Sequence, residues 1–446
     1  MLGSKAVLPE EVIGKMRRVA AIGKVRWHIV VLITAAIAVS YFDRQTLPVA
    51  VHAIQRDIPI SNTQFSRLQA AFLAAYALMY VVGGKLVDVL GTRMGFLLIM
   101  LWWSLACASQ GLATGIGALG VSLFALGMGE GGGFPAATKA LAEWCQPHEI
   151  ATAMGVVNGG TAVGAVAAPP LIALTLAFYS WRWIFIFAGL IGIMWTVWWL
   201  IEYHPPSSHP RLSCEQRRQI SRPFDVKSDR NPALSWIDLF RFHQVRGLVT
   251  AKFLSDAAWY FYIFWLPKYL YDARHFDTKQ VGYFAWIPYA AAGVGSVLGG
   301  WFSSHMMRRG HSLNLSRKVA LGVSAGVMPL ILFVAHSPIE FVIVLFSIAF
   351  AGQQSWSTLV MTLPADIFPA SDVGAVAGLV GCGGACGGIV FGLVVGSLLD
   401  HGFGYGTVFA CVSTFHVIAF CIILLTIRSI QPIQLPYKDA LNDSSI

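Results

Sequence analysis

Long apolar stretches recur from one end of this 446-residue chain to the other, and they constrain its fold more than any other feature. Each stretch is bounded by Arg, Lys, Pro or Gly and approaches the ~20 residues that a helix needs to cross ~30 Å of hydrocarbon. Hydrophobic residues make up 56% of the chain and charged residues only 12%, which is more apolar surface than a soluble core can bury. The chain is therefore predicted to be an all-α integral membrane protein.

The length of the apolar stretches predicts twelve membrane-spanning helices. They begin near Trp27, Thr63, Arg93, Gly115, Glu149, Trp181, Gly247, Lys279, Arg317, Pro338, Asp372 and Tyr405. The only long polar stretch separates the sixth and seventh helices, which predicts two six-helix halves. The predicted division is a leader at 1–26, an N-terminal half at 27–202, a cytoplasmic linker at 203–246, a C-terminal half at 247–428 and a tail at 429–446. In the linker, Ser213 with Gln216 and Ser235 with Asp238 have the spacing of capping boxes and predict short helices.

The net charge of +9 is spread over alternate loops, so it indicates membrane topology and not a nucleic-acid surface. If the first helix runs outward, most Arg and Lys residues face the cytoplasm, which places both termini there. The expected location is the cell inner membrane, with the protein as a multi-pass chain. The closest of the seven cysteines, Cys382 and Cys386, lack the spacing of a metal site. No metal, cofactor or nucleic-acid partner is expected.

A weak internal repeat indicates that the two halves are related, as in duplicated transporters. The segment GGKLVDVLGTRMG from Gly83 follows the second span, and GGWFSSHMMRRG from Gly299 follows the eighth. The fifth and eleventh spans are both rich in small residues, which let helix backbones approach closely in lipid. We expect these two helices to pack at the interface of the halves, with a central site that is exposed to each side in turn.

Three ionisable residues lie deep inside predicted spans of the first half. Asp43 and Arg44 follow Trp27 by about 16 residues, or ~24 Å of helix, and Glu130 lies among glycines in the fourth span. Because such residues cost ~2.5–3.5 kcal/mol each on insertion scales, they are expected to face a cavity or a partner. One carboxylate can pair with Arg44 while the other binds a proton, and Arg44 can then hold a substrate carboxylate. The alternative is a permanently paired structural cluster.

Polar and aromatic residues inside other spans are candidates for binding sugar hydroxyls and the apolar face of a sugar ring. The candidates are Tyr41, Tyr76, Asn158, Thr161, Trp259, Tyr262, Tyr289, Gln353, Gln354 and Ser355. Each of them can equally be a packing residue.

Two further pairs of charged residues are candidates for gating. Lys252 and Asp256 are four residues apart in the seventh span, and they either form a cytoplasmic gate or neutralise each other along one helix face. Asp88 and Arg93 lie around the loop after the second span and could hold neighbouring helices together.

Several motifs resemble those of the major facilitator superfamily. The core G-x-L-x-D at Gly84, Leu86 and Asp88, with Gly91 and Arg93 after it, is similar to the superfamily's loop motif. YFDRQTLPVA in the first span, GMGEGGGFPAATKALAEW in the fourth and YSWRWIFIFAGLIGIMWTVWWLIEYHP in the sixth resemble the anion:cation symporter branch, above all its hexuronate transporters. The resemblance implies the twelve-helix fold with two pseudo-symmetric halves and the same roles for Asp43, Arg44 and Glu130, and it supports Tyr76 as a substrate-binding residue.

The predicted function is proton-coupled symport of a sugar acid, a hexuronate such as glucuronate or galacturonate, with H⁺ as the coupling ion. The alternatives are a carrier or exchanger of another organic anion (aldonate, sialic acid or dicarboxylate) and, more remotely, a transporter-like sensor. An enzyme is not expected because no HExxH motif and no cluster of His and Cys residues occurs. The expected partners are the organic anion, the proton and the lipid bilayer, with the protein acting as a monomer.

Overall fold

The computed structural model describes residues 10–145, 147–215, 217 and 235–433, and every regular element in that part of the chain is helical. The helices are α1 (Glu10–Ile54), α2 (Asn62–Leu90), α3 (Thr92–Gln110), α4 (Ile116–Glu130), α5 (Gly133–Trp144), α6 (Pro147–Phe178), α7 (Arg182–Glu202), α8 (Trp236–Arg241), α9 (His243–Arg274), α10 (Thr278–Phe284), α11 (Trp286–Arg308), α12 (Leu313–Gly326), α13 (Ile339–Ile367), α14 (Ala370–Asp400) and α15 (Tyr405–Thr426). A 3₁₀ segment at Met328–His336 extends α12.

Each of the twelve predicted spans coincides with one helix or with a consecutive pair. Within the described residues, nine helical segments are long and apolar enough to cross a membrane by length and composition. The other three predicted spans are α2, the pair α4 and α5, and α9. The fourth span is divided because the chain makes a tight turn at Gly131 and Gly132, directly after Glu130.

The described chain forms two compact units, the first comprising residues 1–59 and 74–226 and the second residues 60–73 and 227–446. In the first unit, glycines allow α6 to lie directly against α1. A Cβ atom on Gly160 would lie 2.6 Å from the Thr34 carbonyl oxygen, and one on Gly164 would lie 2.0 Å from that of Ala38. The small residues of the fifth span therefore hold the first helix in place, and with it Asp43 and Arg44.

Glycines have the same role between α14 and α9 in the second unit. A Cβ atom on Gly387 would lie 1.9 Å from the carbonyl oxygen of Phe253, and one on Gly383 would lie 2.8 Å from the Val249 side chain. The small residues of both the fifth and the eleventh spans thus pack within their own units. Packing at an interface of the halves stays a prediction.

The start of α2 belongs to the second unit, which the predicted half at 27–202 did not anticipate. The Asp400 carboxylate at the end of α14 accepts hydrogen bonds from the backbone N–H groups of Asn62 (3.0 Å) and Thr63 (2.7 Å). Phe65 also packs edge-on against Trp265 of α9. A carboxylate at a helix N-terminus satisfies unpaired donors and is favoured by the helix dipole, so α14 fixes the first turn of α2.

Two predicted features of the chain outside the spans can be compared with the structure. The Ser235 hydroxyl accepts the backbone N–H of Asp238 at 3.3 Å and caps α8, which confirms one predicted linker helix. Gln216 of the other predicted capping box lies outside the described residues. Helix α1 begins at Glu10 and continues from the predicted leader into the first span, whose apolar segment is Lys24–Ile54, so the leader at 1–26 stays a prediction.

Candidate functional site

The three deep ionisable residues of the first half come together in the first unit. Asp43 and Arg44 lie on α1, and Glu130 is the last residue of α4. They are 2%, 7% and 1% exposed, so all three are buried in the protein and none faces lipid.

Glu130 is the carboxylate that pairs with Arg44, a choice that the spacing of the residues left open. The Arg44 Nε donates to Glu130 Oε2 at 2.6 Å, and the Ser40 hydroxyl donates to the same oxygen at 2.8 Å. A charge-assisted hydrogen bond in this low-dielectric setting is among the stronger contacts that a side chain can make. The ion pair therefore joins the first helix of the unit to the fourth span.

Two tyrosine rings pack against the guanidinium of Arg44. The Arg44 Cζ lies 4.5 Å from the ring centroid of Tyr41 on α1 and 4.5 Å from that of Tyr76 on α2. Desolvated cation–π contacts contribute roughly 2 kcal/mol or more each. Both tyrosines were predicted from sequence as substrate-binding residues, and the structure brings both to Arg44.

The buried group holds two carboxyl groups and only one cation. Neither carboxyl oxygen of Asp43 makes a well-formed hydrogen bond in the described part of the chain, although the Cys107 thiol is within interaction distance. The second oxygen of Glu130, Oε1, also lacks a hydrogen-bond partner there. Because an unpaired charge is expensive at this depth, charge balance favours a proton on one of the two carboxyl groups.

The glycines around Glu130 allow three helices to meet at the site. A Cβ atom on Gly129 would lie 2.4 Å from the Trp103 Cβ of α3, and one on Gly131 would lie 2.4 Å from the carbonyl oxygen of Tyr76. Any larger residue at these positions would push α4 away from α3 or α2. The glycines therefore set the distance between Glu130 and the Arg44–Tyr76 stack.

Gly131→Ala is expected to lower the melting temperature in detergent by several degrees and to slow transport at least tenfold. The added methyl group would collide with backbone atoms of α2, and overpacking of this kind costs roughly 1–3 kcal/mol. The control is Gly117→Ala in the same predicted span, within α4, where a Cβ atom meets nothing within 4 Å. That variant should be as stable as the wild type or slightly more stable, since alanine favours helix over glycine. Equal behaviour of the two variants would contradict this account of the glycines.

Three of the predicted aromatic residues surround Phe350 in the second unit. The ring of Tyr262 stacks on that of Phe350 at a centroid distance of 5.7 Å, and the rings of Tyr289 and Trp259 approach it edge-on at 5.1 and 5.6 Å. The Tyr289 hydroxyl donates to the Ile263 carbonyl oxygen at 3.1 Å. The Tyr262 hydroxyl is buried without a hydrogen-bond partner among the described residues.

The predicted polar residues of α13 have different surroundings. Gln353 is buried and donates to Asp256 Oδ1 at 3.4 Å, whereas Gln354 is half-buried. The Ser355 hydroxyl is hydrogen-bonded to that of Ser324 at 2.7 Å. Lys252 Nζ lies 2.9 Å from Asp256 Oδ1, so the predicted mutual neutralisation of these two residues is present.

The structure does not bring the two predicted residues of the fifth span to the Arg44 group. Asn158 is exposed on α6, and the hydroxyl of Thr161 donates to the Asn158 carbonyl oxygen at 2.7 Å within the same helix. Among the gating candidates, the guanidinium of Arg93 donates to the Leu200 carbonyl oxygen at 2.7 Å. The side chain of Asp88 lies outside the described residues.

Sequence reasoning missed Ser40, His416 and Asp400. Ser40 lies one helical turn before Arg44, a spacing that could have identified it as a second partner for a shared carboxylate. His416 is completely buried in α15 and is bonded to Gln353, and its only sequence signal is a lone histidine in an apolar span. Asp400 is 338 residues from Asn62, and no local pattern relates the two. In the described part of the chain, His, Cys, Asp and Glu residues form no group that could hold a metal ion.

Comparison with known proteins identifies a matching family model and similar membrane transporters. The family model described as Major Facilitator Superfamily matches residues 33–383. The chain is 30% identical over 414 residues to the hexuronate transporter of Escherichia coli (strain K12), covering 92% of this chain and 95% of that protein. It is 32% identical over 307 residues to the galacturonate transporter of Dickeya chrysanthemi, covering 68% of this chain and 89% of that protein.

One solved structure with the same fold is a bacterial homologue of the human lysosomal transporter Spinster, in an inward-facing and occupied conformation. The TM-score is 0.71 at 17% sequence identity, and the match covers 91% of this chain and 97% of the other. At this identity the likeness concerns the fold alone.

Proposed function

The chain belongs to the major facilitator superfamily and is a multi-pass membrane transporter, and from that premise we propose that it carries a sugar acid together with a proton by alternating access. The proposed substrate class is the hexuronates, such as glucuronate and galacturonate. The relatives named hexuronate and galacturonate transporters support this class. The proposed setting is the cell inner membrane, with both termini in the cytoplasm and the monomer as the working form.

The observation that carries the proposal is the buried Arg44–Glu130 ion pair beside Asp43. A guanidinium can bind a carboxylate through two parallel hydrogen bonds, but here its Nε is held by Glu130. A proton that joins Glu130 weakens this bond and leaves Arg44 with an unbalanced positive charge. Binding of an anionic substrate restores the balance, so proton uptake and anion binding favour each other.

In this proposal the acidic residues couple transport to the proton, and Arg44 binds the substrate. Asp43 and Glu130 are proposed to carry the coupling protons, and Arg44 to hold the substrate carboxylate between Tyr41 and Tyr76. Release on the far side follows when a proton leaves and Glu130 takes Arg44 back. For the hydroxyl groups of the sugar, the proposed partners are Asn158, Thr161, Trp259, Tyr262, Tyr289, Gln353, Gln354 and Ser355, and the proposed gating residues are Asp88, Arg93, Lys252 and Asp256.

Uptake into proteoliposomes tests the proposal. Purified protein is reconstituted, a pH gradient is imposed with the acidic side outside, and uptake of labelled glucuronate, galacturonate, galactonate and sialic acid is compared. We expect accumulation of at least one hexuronate, abolished by a protonophore and unchanged when choline replaces sodium. Accumulation that needs sodium or another internal anion, and is insensitive to the pH gradient, would contradict proton symport. Absence of uptake of every sugar acid would contradict the substrate class.

A further inference from the structure

A second buried group of ionisable side chains lies in the second unit, on α9, α13 and α15. Lys252 Nζ is 2.9 Å from Asp256 Oδ1 and donates to the Ser357 hydroxyl at 2.7 Å. The amide nitrogen of Gln353 donates to the same Asp256 oxygen at 3.4 Å, and its amide oxygen is hydrogen-bonded to His416 Nε2. We call these five residues the Lys252 group.

The hydrogen-bond directions within the Lys252 group follow from chemistry. An ionised carboxylate only accepts, so the NH₂ group of Gln353 faces Asp256 and its carbonyl oxygen faces His416. His416 Nε2 therefore carries the proton, and Nδ1 presents a lone pair. Nδ1 is buried and has no hydrogen-bond partner among the described residues. The group thus extends from a cation at one end to a buried acceptor at the other.

Exposure decreases along the Lys252 group. The side chains of Lys252 and Asp256 are 7% and 10% exposed, whereas Gln353 is 1% exposed and His416 is completely buried. Lys252 and Asp256 therefore lie at the edge of the packed core, and the amide and imidazole support them from behind. A solute that reached the group would meet the ammonium and carboxylate first.

A second lysine–aspartate pair on the same helix shows what neutralisation alone requires. Lys268 and Asp272 have the same i, i+4 spacing, and Asp272 lies at the end of α9 with a side chain that is 33% exposed. No amide or imidazole from another helix supports that pair in the described structure. Besides the bond from Lys268, Asp272 accepts a 3.3 Å hydrogen bond from the Tyr405 hydroxyl. The Lys252 group instead buries polar atoms from three helices, which costs free energy that mutual neutralisation of two charges does not explain.

The Lys252 group also repeats the plan of the Arg44 site. In the first unit the cation lies on the first span and its main partner, Glu130, on the fourth. In the second half the cation lies on the seventh span, the first of that half, and the polar partners Ser357 and Gln353 lie on the tenth, the fourth of that half. Related halves thus place a buried cation on corresponding helices.

We propose that Lys252 is a second anion-binding residue, which takes the carboxylate of an organic acid in place of its bond to Asp256. This inference rests on the proposed function, since it concerns the same class of substrate. An incoming carboxylate gives the group one net negative charge unless a proton joins it. The titratable side chains of the Lys252 group are Lys252, Asp256 and His416. The residues that α13 contributes, Gln353 and Ser357, are neutral. Helix α14 approaches Asp256 with Gly384, where a Cβ atom would lie 2.2 Å from Asp256 Oδ2. Asp256 or His416 accepts that proton.

The test is a charge-balanced double variant, Lys252→Gln with Asp256→Asn. It removes the cation without leaving an unpaired buried charge, and the two amides can still hydrogen-bond to each other, so the fold is retained. The matched control is Lys268→Gln with Asp272→Asn on the same helix. Binding of glucuronate, with one carboxylate, and of galactarate, with two, is measured by isothermal calorimetry on detergent-solubilised protein, with the melting temperature as a check of folding.

We expect the Lys252 double variant to bind at least one of the two acids tenfold or more weakly, because a hydrogen bond to a charged group is lost, whereas the control binds as the wild type does. Weakening of galactarate alone means that Lys252 binds a second carboxylate of the same acid. Weakening of both means that it binds a carboxylate common to all such acids. A folded double variant with wild-type affinity for both acids overturns the inference and leaves neutralisation as the role of Lys252. Failure of the proposed function is separate, because the wild type would then bind neither acid.

Discussion

Glu130→Gln is expected to abolish proton-driven accumulation of substrate while exchange of substrate across the membrane continues. The amide oxygen of the new side chain can still accept from Arg44 Nε and from Ser40, as Glu130 Oε2 does at 2.6 and 2.8 Å. A neutral amide copies the shape of a protonated acid, but it cannot release a proton on the other side of the membrane. The variant should therefore keep the proposed binding site and lose one of the two carboxyl groups that are proposed to carry the coupling protons.

Two assays on the same vesicles measure this separation. A gradient of one pH unit is worth about 1.4 kcal/mol per coupled proton, so the wild type should accumulate substrate up to about tenfold for each proton carried. Glu130→Gln should bring the ratio of internal to external substrate to about one, with counterflow of labelled substrate reduced less than about fivefold. Asp43→Asn is measured in the same two assays, because Asp43 is the other carboxyl group proposed for coupling. Unlike Glu130, Asp43 makes no ion pair that holds Arg44 in the described structure. Full accumulation by Glu130→Gln would assign coupling to Asp43 or to another group.

Arg44→Lys is expected to weaken apparent substrate affinity by about 10- to 100-fold, although the charge is kept. Lysine lacks the planar fork that binds a carboxylate through two bonds, and its ammonium cannot stack between two rings as the Arg44 guanidinium does at 4.5 Å from Tyr41 and from Tyr76. Loss of one hydrogen bond to a charged group accounts for roughly 1.5–3 kcal/mol, which gives the stated range.

The matched control for this substitution is Arg182→Lys. Arg182 also stacks on an aromatic ring, that of Trp181 at 4.3 Å, and lies 3.7 Å from the carboxylate of Asp57, but it is partly exposed at the start of α7. Its replacement should leave the concentration for half-maximal uptake unchanged. If Arg44→Lys also transports with unchanged affinity, Arg44 is not the residue that holds the substrate carboxylate.

The sequence by itself determined the class of fold, and it singled out the main candidate site residues. The lipid bilayer limits the possible structures, because an apolar stretch of about 20 residues must form a helix there to satisfy its own backbone hydrogen bonds. The number of these stretches and the single polar linker predict two halves of six helices. The same constraint makes Asp43, Arg44 and Glu130 conspicuous, because an ionisable residue in a span must have a partner or a function. The major facilitator fold and the transporter class are confirmed, while the roles of the site residues stay predictions.

Only the tertiary structure decided which of these residues meet. Asp43 is next to Arg44 in the chain, yet Arg44 pairs with Glu130, 86 residues away, because adjacent residues on a helix point in different directions. The same reason explains why Gln353 lies between Asp256 and His416 whereas its neighbour Gln354 does not. Asp400 caps a helix that begins 338 residues earlier because α14 packs beside the start of α2. Residue spacing shows only which side chains share a face of one helix. The partner of a buried polar group depends on how helices that are distant in sequence pack against each other. Here that packing depends on glycines, whose close contacts with other helices are visible only in the tertiary structure.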